Sequence, residues 1–76
     1  MCLGVPARVL RVKEDLAVVD YGGGVIKEVD ASIVPDIKPG DYVIVHAGII
    51  IAKIDEEEAM EMIKALRELR ALLDRL

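Results

Sequence analysis

A chain of 76 residues is long enough for one domain, and a domain of this size buries only about 60% of the surface that its unfolded chain exposes. The net charge is −4 and the chain has two tyrosines but no Phe or Trp, so we expect no nucleic-acid ligand. One cysteine excludes an internal disulfide, and one histidine excludes a site of zinc-finger type. There is no apolar run of about 18 residues and no signal-peptide pattern at the start, which predicts a cytoplasmic protein without a membrane contact.

The first two thirds of the chain are predicted to form short β-strands. Aliphatic and β-branched runs alternate with turn residues, notably three consecutive glycines at 22–24 and the pair Pro39-Gly40, which suits a type II turn. Open sheet edges of this hydrophobicity would aggregate, so the strands are expected to close into a small five-stranded barrel over residues 1–54. The predicted strands are 5–12, 16–21, 25–29, 42–47 and 49–54.

The last third is predicted to be one amphipathic helix over residues 55–76, within the same single domain. Asp55 suits the N-cap position, Glu58 completes a capping box, and the acidic run at 56–58 lies where the helix dipole favours negative charge. The alternative for that acidic run is a metal site. The apolar stripe is expected to pack on the barrel, with its exposed edge available to a partner as the alternative. Its members are Ala59, Met62, Ile63, Leu66, Leu69, Leu72, Leu73 and Leu76.

Two residues offer chemistry that a structural role does not require. Removal of Met1 would leave Cys2 with both a thiol and an α-amine, two groups that deprotonate within reach of neutral pH. The alternative for Cys2 is a small buried hydrophobe. His46 is expected on the face of its strand opposite the buried aliphatic residues, where it is either a hydrogen-bonded structural residue or a ligand. A thiolate and an imidazole suit iron, copper or zinc, but two donors hold a metal weakly, so any metal would be shared with another protein. A cysteine–histidine enzyme is a further alternative.

Three segments of this sequence closely resemble a known family. The start MCLGVPARV, the segment KPGDYVIVHAGIIIAKID and the charged, leucine-rich C-terminal helix resemble the HypC/HupF family of NiFe-hydrogenase maturation chaperones. The resemblance covers nearly the whole chain, and the N-terminal motif is highly specific.

The resemblance implies a mainly β fold, an OB-like five-stranded barrel with a C-terminal α-helix, and an accessory protein rather than an enzyme. It implies that Cys2 forms complexes with the scaffold protein HypD and with the hydrogenase large-subunit precursor. It also implies that the Fe(CN)2CO unit is assembled on the HypD complex and held only transiently, and that His46 is a second candidate for the iron site or the interface.

The residues beside Cys2 are expected to contact the partner. Leu3, Gly4, Val5 and Pro6 form an apolar and partly rigid anchor, because Pro fixes its own φ and restricts the preceding residue to extended geometry. The alternative is that these residues only begin the first strand. The competing functions are an OB-type ligand-binding module, which predicts basic or aromatic residues on one sheet face, and a small Cys/His thiol enzyme, which predicts turnover by the isolated protein.

Overall fold

Five strands and one helix make up the part of the chain that the computed structural model describes, residues 4–75. Each strand lies within one or two residues of its predicted position, and the helix begins at Glu56, directly after the predicted N-cap. The elements are β1 (Val5–Lys13), β2 (Leu16–Asp20), β3 (Ile26–Asp30), β4 (Tyr42–His46), β5 (Ile49–Ile54) and α1 (Glu56–Leu73).

The strands close into a barrel in the order β1-β2-β3-β5-β4, with β4 pairing back onto β1. Strand β1 is long enough to serve two neighbours, because its first residues pair with β4 and its later residues pair with β2, both antiparallel. Strands β3 and β5 run parallel and meet at a single pair, Asp30 and Ile49. The predicted mainly β fold, a closed OB-like barrel with one C-terminal helix, is confirmed.

The barrel interior is filled by aliphatic side chains that alternate along the strands. Because successive residues of a strand point to opposite faces, every second residue reaches the core. Among the described residues no buried polar or charged side chain interrupts it. Its members are Ala7, Val9, Ala17, Val19, Val29, Val43, Val45 and Ile50.

The turn at residues 38–41 fastens the loop before β4 to the barrel. The Asp41 N–H donates to the Lys38 carbonyl over 3.0 Å and Gly40 has a φ of +93°, as the predicted type II turn requires. The Asp41 carboxylate accepts a hydrogen bond from the Lys38 N–H and lies 3.2 Å from the Lys53 ammonium. Desolvation opposes ionisation of Asp41, but these contacts together hold its pKa below the ordinary value.

The helix begins as predicted, and the Asp55 carboxylate accepts a hydrogen bond from the Glu58 N–H over 2.8 Å. Its packing differs from the expectation. Ala59 is buried, and Met62 and Ile63 are partly buried, but the four leucines that follow are 47–57% exposed. α1 contacts β1 and β4, but the exposure of these leucines shows that the strands leave about half of each one uncovered. Beyond Ile63 the apolar stripe therefore does not pack on the barrel as expected.

Candidate functional site

The first strand enters the barrel directly beside the end of β4. Val5 pairs with Val45 and Pro6 with Ile44, so the antiparallel register places Gly4 at the level of His46. Gly4 also lies against β4, since a Cβ there would collide with the Cγ2 methyl of Ile44 and come within 3.3 Å of the Val45 carbonyl oxygen. The residue type and the pairing together hold Gly4 and the start of β1 against the end of β4.

The close approach at Gly4 gives a direct test of that anchor. We expect Gly4→Ala to lower the free energy of unfolding by about 1–3 kcal/mol, because the Ile44 methyl belongs to a β-branched side chain with a restricted χ1 and cannot easily yield. Urea unfolding followed by circular dichroism measures the loss. In the Gly4→Ala/Ile44→Ala double variant the two costs should be clearly less than additive, and full additivity would show that the contact does not hold the segment in place.

His46 is the last residue of β4 and is exposed, while its neighbours Val43 and Val45 point into the core. The predicted orientation is therefore confirmed. The two residues after it, Ala47 and Gly48, both have positive φ and make the tight turn into β5. Within residues 4–75 the imidazole makes no hydrogen bond and no ion pair, so the part of the chain described here offers no partner for the structural alternative.

The predicted partner-binding residues fall into three groups. Cys2 and Leu3 lie outside the described residues. Gly4 and Val5 reach solvent, with Val5 37% exposed, whereas Pro6 is buried. Pro6 therefore contributes to a partner contact mainly by fixing the strand, although it also lines a groove between β1 and α1.

Metal-binding capacity at this end of the barrel is incomplete within the described residues. Residues 4–75 contain no group of three or more His, Cys, Asp or Glu side chains placed to hold an ion. A metal at His46 would need its other donors from the N-terminal segment or from another molecule. The acidic run at 56–58 forms the first turn of α1, and Asp55 directly before it caps the helix by accepting a hydrogen bond from the Glu58 N–H.

A groove of about 480 Å3 lies between the outer face of β1 and α1. The sequence patterns considered above did not predict it. Val5 and Pro6 contribute to it, as do the turn after β2 and one face of the helix. Burial raises the pKa of Tyr21 in this groove, so its side chain stays a neutral phenol at ordinary pH. The helical spacing of Met60, Ile63, Arg67 and Arg70 is the one signal in the sequence that points to it.

The helix of the described region is not long and apolar enough to cross a membrane. The fold and the site together define a small OB-like barrel protein with an open groove beside the start of its first strand.

Comparison with known proteins places the chain more narrowly. The model of the HupF/HypC family matches residues 1–66, and the chain belongs to this family. It is 42% identical over 74 residues to the hydrogenase maturation factor HypC of Rhizobium leguminosarum bv. viciae, covering 97% of each chain. It is 36% identical to HypC of Azotobacter chroococcum mcd 1, covering 97% of this chain and 88% of that one. It is 38% identical to the hydrogenase maturation factor HybG of Escherichia coli strain K12, covering 91% and 92%. The family resemblance seen in the sequence is thereby confirmed.

Proposed function

We propose that this chain is a hydrogenase maturation chaperone that binds HypD and the hydrogenase large-subunit precursor. In this proposal the Cys2 thiolate holds the Fe(CN)2CO unit as cargo while it is assembled with HypD and then delivered. Membership of the HupF/HypC family supports the role, as do relatives that are named hydrogenase maturation factors. We propose that the chain acts in the cytoplasm and has no catalytic turnover of its own.

The observation that carries the proposal is the register between β1 and β4. It sets Gly4 beside the end of β4, next to the exposed His46. Two peptide steps separate Cys2 from Gly4, so the covalent chain limits their Cα separation to roughly 7 Å. In this proposal the thiolate on that short tether and the imidazole of His46 share one iron atom.

The chemistry of the cargo fits such a partial site. A soft thiolate binds iron that carries cyanide and carbonyl ligands, and those ligands fill positions that the protein would otherwise have to supply. The remaining donors come from the partner, which agrees with the lack of a three-ligand cluster in residues 4–75. Release then requires exchange of one thiolate for the cysteines of the large-subunit precursor, while the barrel stays folded.

A thiol enzyme is less well supported by the geometry. Cysteine–histidine catalysis needs a third group that orients the imidazole, and among the described residues none hydrogen-bonds to His46. An OB-type module for nucleic acid is disfavoured by the net charge of −4.

The test is an anaerobic co-purification of the tagged chain with HypD, followed by infrared spectroscopy of the complex. We expect a stable complex with bands in the cyanide and carbonyl stretching region, and no such bands for either protein produced without the other maturation proteins. A chain that fails to capture HypD or the large-subunit precursor would contradict the proposal.

His46 gives a second prediction from the same geometry. His46→Ala is expected to shift or weaken the carbonyl and cyanide bands by a readily measured amount while HypD is still captured, because an iron ligand or its hydrogen-bond partner is lost. Lys27→Ala is the matched control, an exposed residue of β3. Spectra that are identical for both variants would remove His46 from the iron site.

A further inference from the structure

The groove between β1 and α1 has a composition that differs from the rest of this acidic protein. Arg8 projects from β1, and Arg67 and Arg70 project from α1, so three guanidinium groups line one cavity of about 480 Å3. The chain as a whole has a net charge of −4. A local concentration of positive charge on an acidic protein favours a partner of opposite sign.

These three arginines are available for an external partner. Within residues 4–75 the one ion pair joins Lys53 and Asp41, so no described carboxylate lies within ion-pair distance of Arg8, Arg67 or Arg70. The acidic residue lining the groove is Asp20, whose carboxylate accepts the Gly22 N–H over 2.7 Å. Asp20 offsets one of the three positive charges, so the described lining of the groove keeps an excess of two positive charges.

Apolar surface lies between the charges. Met60 is 45% exposed and Leu66 is 47% exposed, and Ile63 is partly buried between them on the same face of α1. Arg67 and Arg70 lie almost one helical turn apart, about 4.5 Å along the axis. Aliphatic contacts flanked by cations at this spacing suit a protein segment that carries both aliphatic side chains and carboxylates.

The groove is also continuous with the N-terminal anchor. Val5 and Pro6 line it, and they follow Cys2 by three and four residues. A partner held by the Cys2 thiolate would therefore reach the groove without any change in the barrel.

We propose that this groove binds an acidic, aliphatic segment of the partner protein that Cys2 engages. The inference rests on the proposed function, since it assigns a second contact to the same partner. In this arrangement the thiolate holds the cargo and is required for capture, and the groove adds affinity and orientation to the contact.

The experiment is a calorimetric titration of the full chain with purified HypD and, separately, with the large-subunit precursor, each at low and high salt. The test variant is Arg67→Glu/Arg70→Glu. The matched control is Lys64→Glu/Arg75→Glu, which makes the same change in charge outside the groove, at one position on α1 and one just after its C-cap. Thermal unfolding by circular dichroism confirms that all of the proteins are folded.

We expect the groove variant to bind at least one partner about tenfold more weakly or worse, and to lose much of the salt dependence, while the control stays within about threefold. Equal weakening by both variants would show a general charge effect and overturn the proposal, as would unchanged binding of both partners by the groove variant. A labelled single-stranded RNA is titrated in parallel. RNA binding that the groove variant loses, without any loss of partner affinity, would also overturn it in favour of a nucleic-acid surface.

Cys2→Ala, measured in the same titrations, separates this inference from the proposed function. If only Cys2→Ala loses partner binding, the thiolate role is supported and the groove is ruled out as a docking surface. If only the groove variant loses partner binding, the groove is supported as a docking surface and the thiolate role is ruled out.

Discussion

Replacement of Cys2 by alanine is expected to abolish capture of HypD and of the large-subunit precursor, together with the cyanide and carbonyl bands, while the barrel remains folded. The described core that holds the barrel together runs from Ala7 to Ile50, and Cys2 precedes the first of these residues by five positions in the sequence. A loss of more than about 0.5 kcal/mol in the free energy of unfolding would show that the substitution also disturbs the barrel. Function is expected to be lost because Cys2 is the one cysteine of this chain, so alanine at this position removes the only thiolate that can bind iron.

A serine variant separates the role of sulfur from that of shape. Cys2→Ser keeps the size of the side chain and a hydrogen-bonding group, but a neutral hydroxyl is a poor ligand for iron that prefers soft donors. It should fail as completely as Cys2→Ala in partner capture and in hydrogenase maturation. If Cys2→Ala still matured the hydrogenase, the function would belong to the barrel surface and Cys2 would be a packing residue.

The strands could be predicted from the sequence because the signals that define them are local. Three glycines with positive φ at 22–24 and the type II turn at Pro39-Gly40 interrupt aliphatic runs whose period of two is visible in the sequence. The same period gave the outward orientation of His46. Closure of the barrel followed from the cost of exposed edges rather than from any single residue.

The arrangement of the site depends on contacts that are distant in sequence, and these could not be predicted. The pairing of Val5 with Val45 fixes where the first strand joins the barrel, yet nothing about either residue identifies the other as its partner. The approach of Gly4 to Ile44 is likewise invisible until the strands are paired. The groove unites Arg8 with Arg67, which lie at opposite ends of the chain.

The helix shows a different limit of sequence patterns. Amphipathicity indicates which face is apolar, but not how far the neighbouring surface extends. Leu69 and Leu73 continue the stripe that Ala59 begins, yet they are 52% and 56% exposed, so the barrel does not cover this part of the stripe. Partners and cargo came from the resemblance to a family, since no spacing of residues in this chain names them.

Ile50→Ala is expected to be the most destabilising single change among the core residues, and it tests how the site depends on the barrel. Ile50 is fully buried in β5 and is among the largest of the fully buried side chains. Truncation of such a residue costs about 2–5 kcal/mol, from lost burial and from the cavity that remains. The whole domain is expected to have a stability of roughly 4–11 kcal/mol, at about 0.05–0.15 kcal/mol per residue, so the variant should lose a large part of it.

The next residue on the same strand is the control. Ile51 is 45% exposed, so Ile51→Ala makes the same chemical change outside the core and should cost less than about 1 kcal/mol. Urea unfolding of both variants measures the difference, and similar losses would contradict the described core. Because Ile50 pairs with Val45, and Val45 pairs with Val5, the Ile50 cavity also loosens the two strands that bring the N-terminal segment to His46. Partner capture should therefore fall in Ile50→Ala even at temperatures where most molecules remain folded, and it should stay at the wild-type level in Ile51→Ala.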